Sequence, residues 1–451
     1  MKNYILIVST FFLFCCAKTP NQVVVDFSVD PVQYGTAFTK VPAAKDAIIY
    51  QVNIRAFSTA GNLQGVTARL DSIKSLGINV LYLMPVYPVG SLRGFNSPYA
   101  IKDYKAVGAE FGTLEDLRAL VNGAHSRNMA VMMDWVANHT AWDNVWINNK
   151  TWYQQDASGN IINPPGYSDV AQLNYNNDEM RTAMIEAMRY WIFTANIDGY
   201  RCDFADNVPF SFWKQAVNSL KSIKGRQVLM FAEGTRNDHF NAGFDFIFGF
   251  GFYYKMKEIY AGNKSVTAIN DINTSEYINA NDSSQVIRYI TNHDVNGSDG
   301  TPLEMFGGKN GAMAAFVVTA LMKGVPMIYS GQEVGTAYRL TFPFTAQKIN
   351  WASSPDVTAE YKKLLAFRSS NAAIRGGQLY VYSSDDVVAF IKQLNKEKNL
   401  VLVNLRNRAI AYTLPASIAN TIWTDALNGG NISLTADITL QPYSYLILKN
   451  Q

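Results

Sequence analysis

The sequence predicts an α/β fold: a (β/α)8 TIM barrel with a small domain inserted after the third strand and a C-terminal antiparallel β-sandwich domain. Three observations predict it. Short β-branched or aromatic runs alternate with helix-period segments from Ile48 onward, residues 139–177 interrupt this alternation, and strand-like runs alone follow Asn371. The 451 residues are 48% apolar and 17% charged, as in folded globular proteins, and a formal net charge of +3 argues against a nucleic-acid partner.

The first residues have the features of an export signal. Lys2 precedes an apolar run over residues 4–14, which is far shorter than the ~20 residues that a membrane-spanning helix needs. The run ends in two cysteines, so residues 1–16 are interpreted as a lipoprotein signal peptide with a lipobox and Cys16 as the acylated residue. The alternative is an ordinary secretory signal, because Phe14 is an imperfect lipobox residue. We expect an exported, membrane-anchored lipoprotein in the periplasm or at the cell surface.

The residues that follow the signal predict a linker. Residues 17–45 combine proline, asparagine and glycine with short apolar pieces and have no clear period, which indicates a tether. After acylation of Cys16 only Cys202 remains, so no internal disulfide is expected. Core packing must therefore stabilise the protein.

The barrel is predicted over residues 46–138 and 178–372. Helical spacing is clear in two segments, residues 114–124 and 313–321. Eight strand and helix units fit a closed barrel. The predicted strands start near Ile48, Asn79, Ala130, Asp198, Gln227, Phe244, Val286 and Val325.

Two further domains interrupt or follow the barrel. Residues 139–177 are rich in Asn, Trp, Tyr, Pro and Gly and are too long for a simple connection between strand and helix, so they predict a small domain over the barrel mouth. Residues 373–451 predict the β-sandwich. Its strand-like runs are residues 379–382, 387–394, 400–405, 409–414 and 443–448.

Polar residues interrupt the apolar pattern where four of the predicted barrel strands end. Barrel enzymes carry their reactive groups at these carboxyl ends. Converging carboxylates without a His or Cys metal spacing suit glycoside hydrolysis, in which one carboxylate attacks the anomeric carbon and another protonates the leaving oxygen. The residues at these strand ends are Asp134, Asn138, His139, Arg201, Asp203, Glu233, His293 and Asp294.

The sequence around two of these carboxylates suggests separate roles. Arg201 lies two residues before Asp203 on a strand, so both side chains point the same way and the cation favours an ionised nucleophile. Glu233 has no basic residue before Arg236, and we interpret it as the proton donor. His125 and His239 are expected to be solvated.

These four strand ends resemble the signature regions of glycoside hydrolase family 13, the α-amylase family, and the likeness covers nearly the whole chain from about Ile49. It extends to Tyr50-Gln51, Leu76-Gly77-Ile78, Tyr99, Asp103-Tyr104-Lys105 and residues 324–333. The resemblance implies that Asp203 is the nucleophile, Glu233 the general acid and base, and Asp294 the residue that steadies the distorted sugar.

The same resemblance implies roles in substrate binding. His139 and His293 would hydrogen-bond the sugar, Arg201 would orient the nucleophile, and Tyr99 would stack on the sugar ring. Further stacking candidates are Trp142, Trp152, Tyr153, Tyr253 and Tyr254.

The sequence departs from the family pattern on three points. Asp206 and Asn207 replace a usual lysine and histidine, which alters contacts on the leaving-group side. Ala100 replaces an aspartate of many terminal glucosidases, which favours cleavage within a chain or of short oligosaccharides. No cofactor is required; calcium could bind through Asn138, although Gln172 replaces a frequent aspartate ligand.

The sequence therefore predicts a retaining hydrolase of α-glucosidic bonds that acts on starch-type glucans or maltooligosaccharides. Among the α-glucosidic linkages, we favour α-1,4 as the one that it cleaves. A transglycosylase of the same family remains an alternative. So does a sugar-binding lipoprotein that has lost catalysis. The presence of all three carboxylates favours an enzyme.

Overall fold

The computed structural model describes residues 30–450. The predicted signal over residues 1–16, the acylated Cys16 and residues 17–29 of the predicted tether lie outside the described residues. In the part of the chain that is described, no helix has both the length and the apolar character needed to cross a membrane.

Within residues 30–450 the largest unit is a closed barrel of eight parallel strands, which confirms the predicted fold. Nearly every residue of these strands is buried, as expected for a parallel sheet covered on its outer face by helices and filled by side chains inside. Their order around the barrel is β1-β10-β9-β8-β7-β6-β3-β2. The strands are β1 (Ile49–Val52), β2 (Val80–Leu83), β3 (Ala130–Val136), β6 (Gly199–Asp203), β7 (Leu229–Ala232), β8 (Phe246–Phe248), β9 (Gln285–Arg288) and β10 (Val325–Tyr329).

Helices alternate with the barrel strands, and both helical periods noted in the sequence are confirmed. One forms α4, where the Thr113 hydroxyl and the Asp116 carboxylate form a capping box that satisfies free backbone N–H groups. The other forms α12, which is buried almost throughout. The helices are α1 (Ile54–Phe57), α2 (Leu63–Thr67), α3 (Leu70–Ser75), α4 (Leu114–Ser126), α5 (Asp178–Thr194), α6 (Phe210–Lys221), α7 (Asp238–Ala242), α8 (Phe250–Tyr260), α9 (Ile269–Ser275), α10 (His293–Ser298), α11 (Pro302–Met305), α12 (Gly308–Leu321), α13 (Pro355–Ser370) and α14 (Ala372–Gly376).

Residues 30–45 pack on the barrel, so this part of the predicted tether differs from the expectation. The Phe38 ring stacks on the His125 ring with centroids 4.3 Å apart. The Tyr34 backbone N–H donates to the carbonyl of Phe193 at the end of α5, and Arg118 covers the Tyr34 ring. The aromatic residues of this segment pack on the barrel, although the segment has no periodic pattern that would predict this packing.

The inserted segment follows β3 directly and contains two short strands, β4 (His139–Ala141) and β5 (Val170–Gln172). They pair antiparallel, with His139 opposite Gln172. A bridge between Tyr153 and Leu173 extends the pairing. Because β4 begins three residues after β3 ends, His139 lies at the carboxyl end of the barrel.

The C-terminal part is antiparallel, as predicted, and contains one sheet of order β11-β12-β13-β18-β15-β16 and a pair of strands, β14 and β17. Their inward residues form a separate apolar core. The sequence did not indicate β15, β16 and β17, because each of them buries only one residue. The strands are β11 (Gln378–Val381), β12 (Val387–Leu394), β13 (Glu397–Asn404), β14 (Ile410–Thr413), β15 (Thr421–Asp425), β16 (Asn431–Leu434), β17 (Asp437–Leu440) and β18 (Tyr445–Lys449).

Candidate active site

One buried guanidinium connects the carboxylates at the ends of three neighbouring strands. Arg201 on β6 is fully buried, and its Nη1 lies 2.6 Å from Asp134 Oδ1 and 2.9 Å from Asp203 Oδ1. Its Nη2 lies 2.6 Å from Glu233 Oε1. The side chains of Asp203 and Glu233 are only 12% and 13% exposed. Arg201 therefore holds the two carboxyls side by side at the floor of the cleft.

This arrangement corrects two expectations about charge. Arg201 was expected among the substrate-binding residues as the group that orients the nucleophile; it does contact Asp203, but it has no exposed surface through which to touch a substrate. Glu233, expected to lack a cation, has Arg201 beside it because β6 and β7 are adjacent and Cys202 pairs with Ala232. Arg201 and Glu233 lie far apart in the sequence, so their contact across adjacent strands was not predicted.

The two carboxyls compete for one cation in a buried site. Burial raises the pKa of Asp203 well above its usual range, the charge of Glu233 raises it further, and Arg201 lowers it. The ionised form of Asp203 therefore depends on its ion pair with Arg201, which opposes the effects of burial and of the neighbouring carboxylate.

Backbone hydrogen bonds fix the orientation of Glu233. The N–H of Phe204 donates to Glu233 Oε2 at 2.7 Å, and the N–H of Ala205 donates to the Glu233 carbonyl. Phe204 takes a left-handed conformation with φ of 50°, which is unusual for a bulky residue. The turn after the predicted nucleophile thus adopts a strained conformation that directs an N–H at the predicted acid.

Asp134 lies beneath the two carboxyls and contacts no solvent. It accepts hydrogen bonds from Tyr82 at 2.6 Å and Tyr99 at 3.1 Å, besides its ion pair with Arg201. Burial raises the pKa of Asp134, and Arg201 opposes this shift. These contacts give Asp134 a structural position below the cleft.

His293 and Asp294 occupy the first turn of α10. The side chain of Asn292 accepts from the N–H groups of Asp294 and Val295 and so begins the helix where β9 and its connection end. His293 Nδ1 accepts from Gln51 Nε2 at 2.8 Å, which leaves the ring proton on Nε2, 2.7 Å from the Tyr99 hydroxyl. Burial, followed by Arg201, lowers the pKa of His293 to about 4, so the ring is neutral at neutral pH.

The predicted carboxylates and three of the predicted binding residues line one cleft of about 560 Å³. Asp294 is the most open of the three carboxylates, with a side chain 58% exposed. Four aromatic residues that the sequence analysis did not select also line this cleft. The residues concerned are Asp203, Glu233, Asp294, Tyr99, His139 and His293, together with Phe95, Phe342, Tyr167 and Phe204.

The aromatic residues selected from the sequence as further stacking candidates do not line the cleft. Tyr153 and Tyr253 are buried, and Trp142 is 9% exposed and covered by Arg93. Tyr254 is exposed but lies outside the cleft. The sequence feature that Phe95 and Phe342 share is that each is an aromatic residue in a loop after a barrel strand. This feature could have identified them as lining the cleft.

The surroundings of Asn138 do not fit a calcium ion. Gln172 Nε2 donates to Asn138 Oδ1 at 3.1 Å and to the Asn138 carbonyl at 3.2 Å, so an N–H donor occupies the acceptors that a cation would need. Asn138 Nδ2 lies 3.2 Å from His139 Nδ1. Over residues 30–450 no three His, Cys, Asp or Glu side chains form a group that could hold a metal. The expected ligand Asn138 therefore has a hydrogen-bonding role.

His139 reaches the cleft from β4 as a neutral ring. It is 9% exposed, and burial lowers its pKa to about 4. At neutral pH the ring can therefore donate one hydrogen bond and accept another.

Asp206 supports the loop that carries Glu233. Its carboxylate accepts from the N–H groups of Thr235 and Arg236 and from His239 Nε2 at 2.8 Å. Burial raises the pKa of Asp206, but these hydrogen bonds lower it to about 2. A Cβ on Gly234 would lie 2.3 Å from Asp206 Oδ1, so this close approach requires glycine.

The expectation of solvated histidines was wrong. His239 is fully buried against Asp206, and His125 Nε2 contacts Asp198 Oδ2 at 2.7 Å. The two imidazoles bond to the buried carboxylate of Asp198 and the half-buried carboxylate of Asp206, contacts that the sequence positions of the histidines did not reveal.

We expect Asp206→Ala to lower the free energy of unfolding by about 1 to 3 kcal/mol, because it leaves part-buried donors unsatisfied. Asp238→Ala is the matched control, since it removes an exposed ion pair to Arg236 and should cost less than about 1 kcal/mol. Urea unfolding followed by fluorescence measures both. Equal losses would contradict a supporting role for Asp206.

Comparisons with known proteins agree with this geometry. The family "Alpha amylase, catalytic domain" matches residues 36–160 and 147–370. Alpha-amylase 2 of Dictyoglomus thermophilum is 26% identical over 86% of this chain and 73% of its own length, and a cyclomaltodextrinase of Geobacillus thermopakistaniensis is 24% identical over 86% and 70%.

Solved structures show the same likeness over nearly the whole chain. An alpha-amylase from Lactobacillus plantarum superposes with a TM-score of 0.81 and 27% identity, covering 91% of this chain and 100% of its own. A maltogenic alpha-amylase from Thermotoga neapolitana gives 0.80 and 26%, covering 90% and 99%. Because the family match spans most of the sequence and includes the strand ends that form the cleft, this chain belongs to the alpha-amylase family of glycoside hydrolases.

Proposed function

We propose that this protein is a retaining hydrolase of α-1,4-glucosidic bonds in starch-type glucans or maltooligosaccharides. The observation that carries the proposal is the position of Asp203 and Glu233 on adjacent nitrogens of the Arg201 guanidinium, with Asp294 exposed in the same cleft. Retaining glycosidases need two carboxyls about 5 to 5.5 Å apart, without room for a water between them. The ion pairs of both carboxyls with one guanidinium bring them close together, which supports retention over inversion.

The reaction follows from the positions of these groups. Asp203 attacks the anomeric carbon while protonated Glu233 gives its proton to the departing glycosidic oxygen, which forms a covalent glycosyl-enzyme and releases the shortened chain. Glu233, now a carboxylate, removes a proton from water, which attacks the same carbon and frees Asp203. Two displacements restore the original configuration. Asp294 accepts hydrogen bonds from sugar hydroxyls, and neutral His139 hydrogen-bonds to the sugar.

The relatives support the substrate class. They are named alpha-amylases, cyclomaltodextrinases and, in one case, cyclomaltodextrin glucanotransferase. Because one relative is named a glucanotransferase, a transglycosylase remains the alternative. In that reaction a sugar hydroxyl replaces water in the second displacement.

Product analysis separates these activities. The protein without its first sixteen residues is incubated with amylose, pullulan, maltoheptaose and sucrose, with and without a chelator, and the products are separated by chromatography. We expect short maltooligosaccharides from amylose and maltoheptaose, at rates that the chelator leaves unchanged because Gln172 occupies the Asn138 acceptors. Products of more than seven glucose units from maltoheptaose would indicate a transglycosylase, and no turnover with retained binding would indicate either a different α-glycoside substrate or a sugar-binding protein.

Glu233→Gln tests the assignment of the acid. Glutamine keeps the shape of the side chain but can neither donate the proton nor activate water, so turnover should fall by several orders of magnitude while the fold and oligosaccharide binding persist. Glu186→Gln, at an exposed position on α5, is the matched control and should leave turnover unchanged. Near-native turnover in Glu233→Gln would exclude Glu233 as the acid.

We further propose that a lipid on Cys16 anchors the protein to a membrane after export. The support is the sequence alone: a short apolar signal that ends in two cysteines. We expect Cys16→Ala to release the protein from the membrane fraction of expressing cells, whereas Cys15→Ala should leave it anchored. Cys16→Ala protein that stays in the membrane fraction would contradict acylation at this residue.

A further inference from the structure

Gln51 on β1 is a buried polar residue that the proposed mechanism does not use. It has no exposed surface and does not line the cleft. The N–H and the hydroxyl of Ser330 donate to its backbone carbonyl, at 3.0 and 2.8 Å, so its place in the barrel wall is fixed. A buried amide is costly unless it forms hydrogen bonds. The contacts of its side chain should therefore explain why this position carries glutamine.

Over residues 30–450, the side chain of Gln51 makes one hydrogen bond, and its partner is His293. Nε2 of the amide lies 2.8 Å from Nδ1 of the ring, whereas the amide oxygen has no hydrogen-bond partner in that part of the chain. An apolar side chain of similar length would fill the same space without leaving a buried acceptor unsatisfied. The contact with His293 is thus the property that glutamine adds at this position.

The amide determines which nitrogen of His293 carries the ring proton. An amide NH2 group can only donate, so Nδ1 must accept and the proton lies on Nε2. Nε2 is 2.7 Å from the Tyr99 hydroxyl, and that hydroxyl donates its own proton to Asp134 Oδ2 at 3.1 Å. The donors therefore all point in one direction, from the amide through the two rings to the Asp134 carboxylate.

The other neutral form of the ring would disturb the floor of the cleft. With the proton on Nδ1, the bare Nε2 would need the proton of the Tyr99 hydroxyl, and Asp134 would lose one of its two hydroxyl donors. Asp134 has no exposed surface where water could replace that donor, and it pairs with Arg201. In addition, Asp294 Oδ1, which lies 3.4 Å from Nε2, would face a lone pair instead of an N–H.

The charges around His293 leave the ring with a single proton. Burial, followed by the charge of Arg201, lowers the pKa of His293 to about 4, although Asp134 and Glu233 act in the opposite direction. The carboxylate of Asp294 lies beside Nε2 as well. At neutral pH the ring is therefore neutral, and a partner that only donates selects between its two neutral forms.

We propose that Gln51 is a positioning residue whose amide keeps the single proton of His293 on Nε2. The Tyr99 hydroxyl then stays directed at Asp134, and Asp294 faces an N–H, before a substrate binds. The effect on turnover rests on the proposed function, because it assumes that Tyr99 and Asp294 contact the sugar. The location of the proton does not depend on that function.

Nuclear magnetic resonance of protein with isotopically labelled histidine locates the proton without turnover. The chain has 4 histidines, and two-bond correlations between ring protons and ring nitrogens distinguish the two neutral forms from the charged one. The spectrum of His293→Asn assigns the signals of His293 by their loss. We expect the proton on Nε2 at neutral pH. A proton on Nδ1, or a mixture of both forms, would overturn the proposal, and this result needs no Gln51 variant to fold.

Gln51→Met removes the donor but keeps a side chain of similar length. We expect His293 to become a mixture of both neutral forms. We also expect kcat on maltoheptaose to fall about tenfold and KM to change less than about threefold, because the variant misdirects groups of the cleft but removes none that binds sugar. Gln51→Glu offers an acceptor instead of a donor and should move the proton to Nδ1 or charge the ring. Thermal unfolding verifies that both variants are folded.

Gln332→Met is the matched control. Gln332 is also buried, and its amide donates to the Tyr361 hydroxyl at 2.8 Å, outside the cleft. This substitution should lower the thermal stability but leave the form of the His293 ring and kcat unchanged. A folded Gln51→Met variant that keeps the proton on Nε2, or that loses no more kcat than Gln332→Met, would overturn the proposal. If the unaltered protein cleaves no α-glucan while His293 carries its proton on Nε2, the proposed function fails but Gln51 still sets the form of the ring.

Discussion

The site depends on the buried guanidinium of Arg201. A cation without solvent contact is costly unless it is paired, and Arg201 has carboxylate oxygens of Asp134, Asp203 and Glu233 within 2.9 Å. In return, the cation fixes the spacing of Asp203 and Glu233 and offsets their repulsion. The barrel makes this possible, because β3, β6 and β7 are neighbours and end at one edge. The buried Arg201 and the adjacency of these three strands thus determine the distance between the two reactive carboxyls.

The sequence predicted what depends on local pattern. Most barrel strands are short apolar runs, Asp203 ends β6 and Glu233 directly follows β7, so their place at the barrel mouth was predictable. Contacts between strands were not, since the pair formed by Arg201 and Glu233 follows from strand register alone. The contact of His239 with Asp206 and the contact between the Phe95 and Phe342 rings, whose centroids lie 6.2 Å apart, join segments far apart in the chain. The periodic pattern of apolar residues within one segment does not predict contacts between distant segments.

The departures from the family pattern have local compensations. Asp206, one of the departures expected from the resemblance, binds His239 and two N–H groups of the loop after Glu233. Gln172, another of these expected departures, donates hydrogen bonds to Asn138 and joins the inserted segment to the barrel. In both places hydrogen bonds within the protein order the loops around the cleft. Four aromatic residues, Phe95, Phe342, Tyr167 and Phe204, line the same cleft.

The central claim is that Asp203 forms a bond to the sugar while Glu233 supplies the proton. Mass spectrometry of peptides from Glu233→Gln protein, treated with an α-glucosyl fluoride, tests it most directly. Fluoride leaves without a general acid, and the missing base slows hydrolysis of the intermediate, so the glucosyl-enzyme should accumulate. The account predicts one added glucosyl group on the peptide that contains Asp203. A label on Asp294, or fluoride release without any labelled peptide and with inversion at the anomeric carbon, would contradict it.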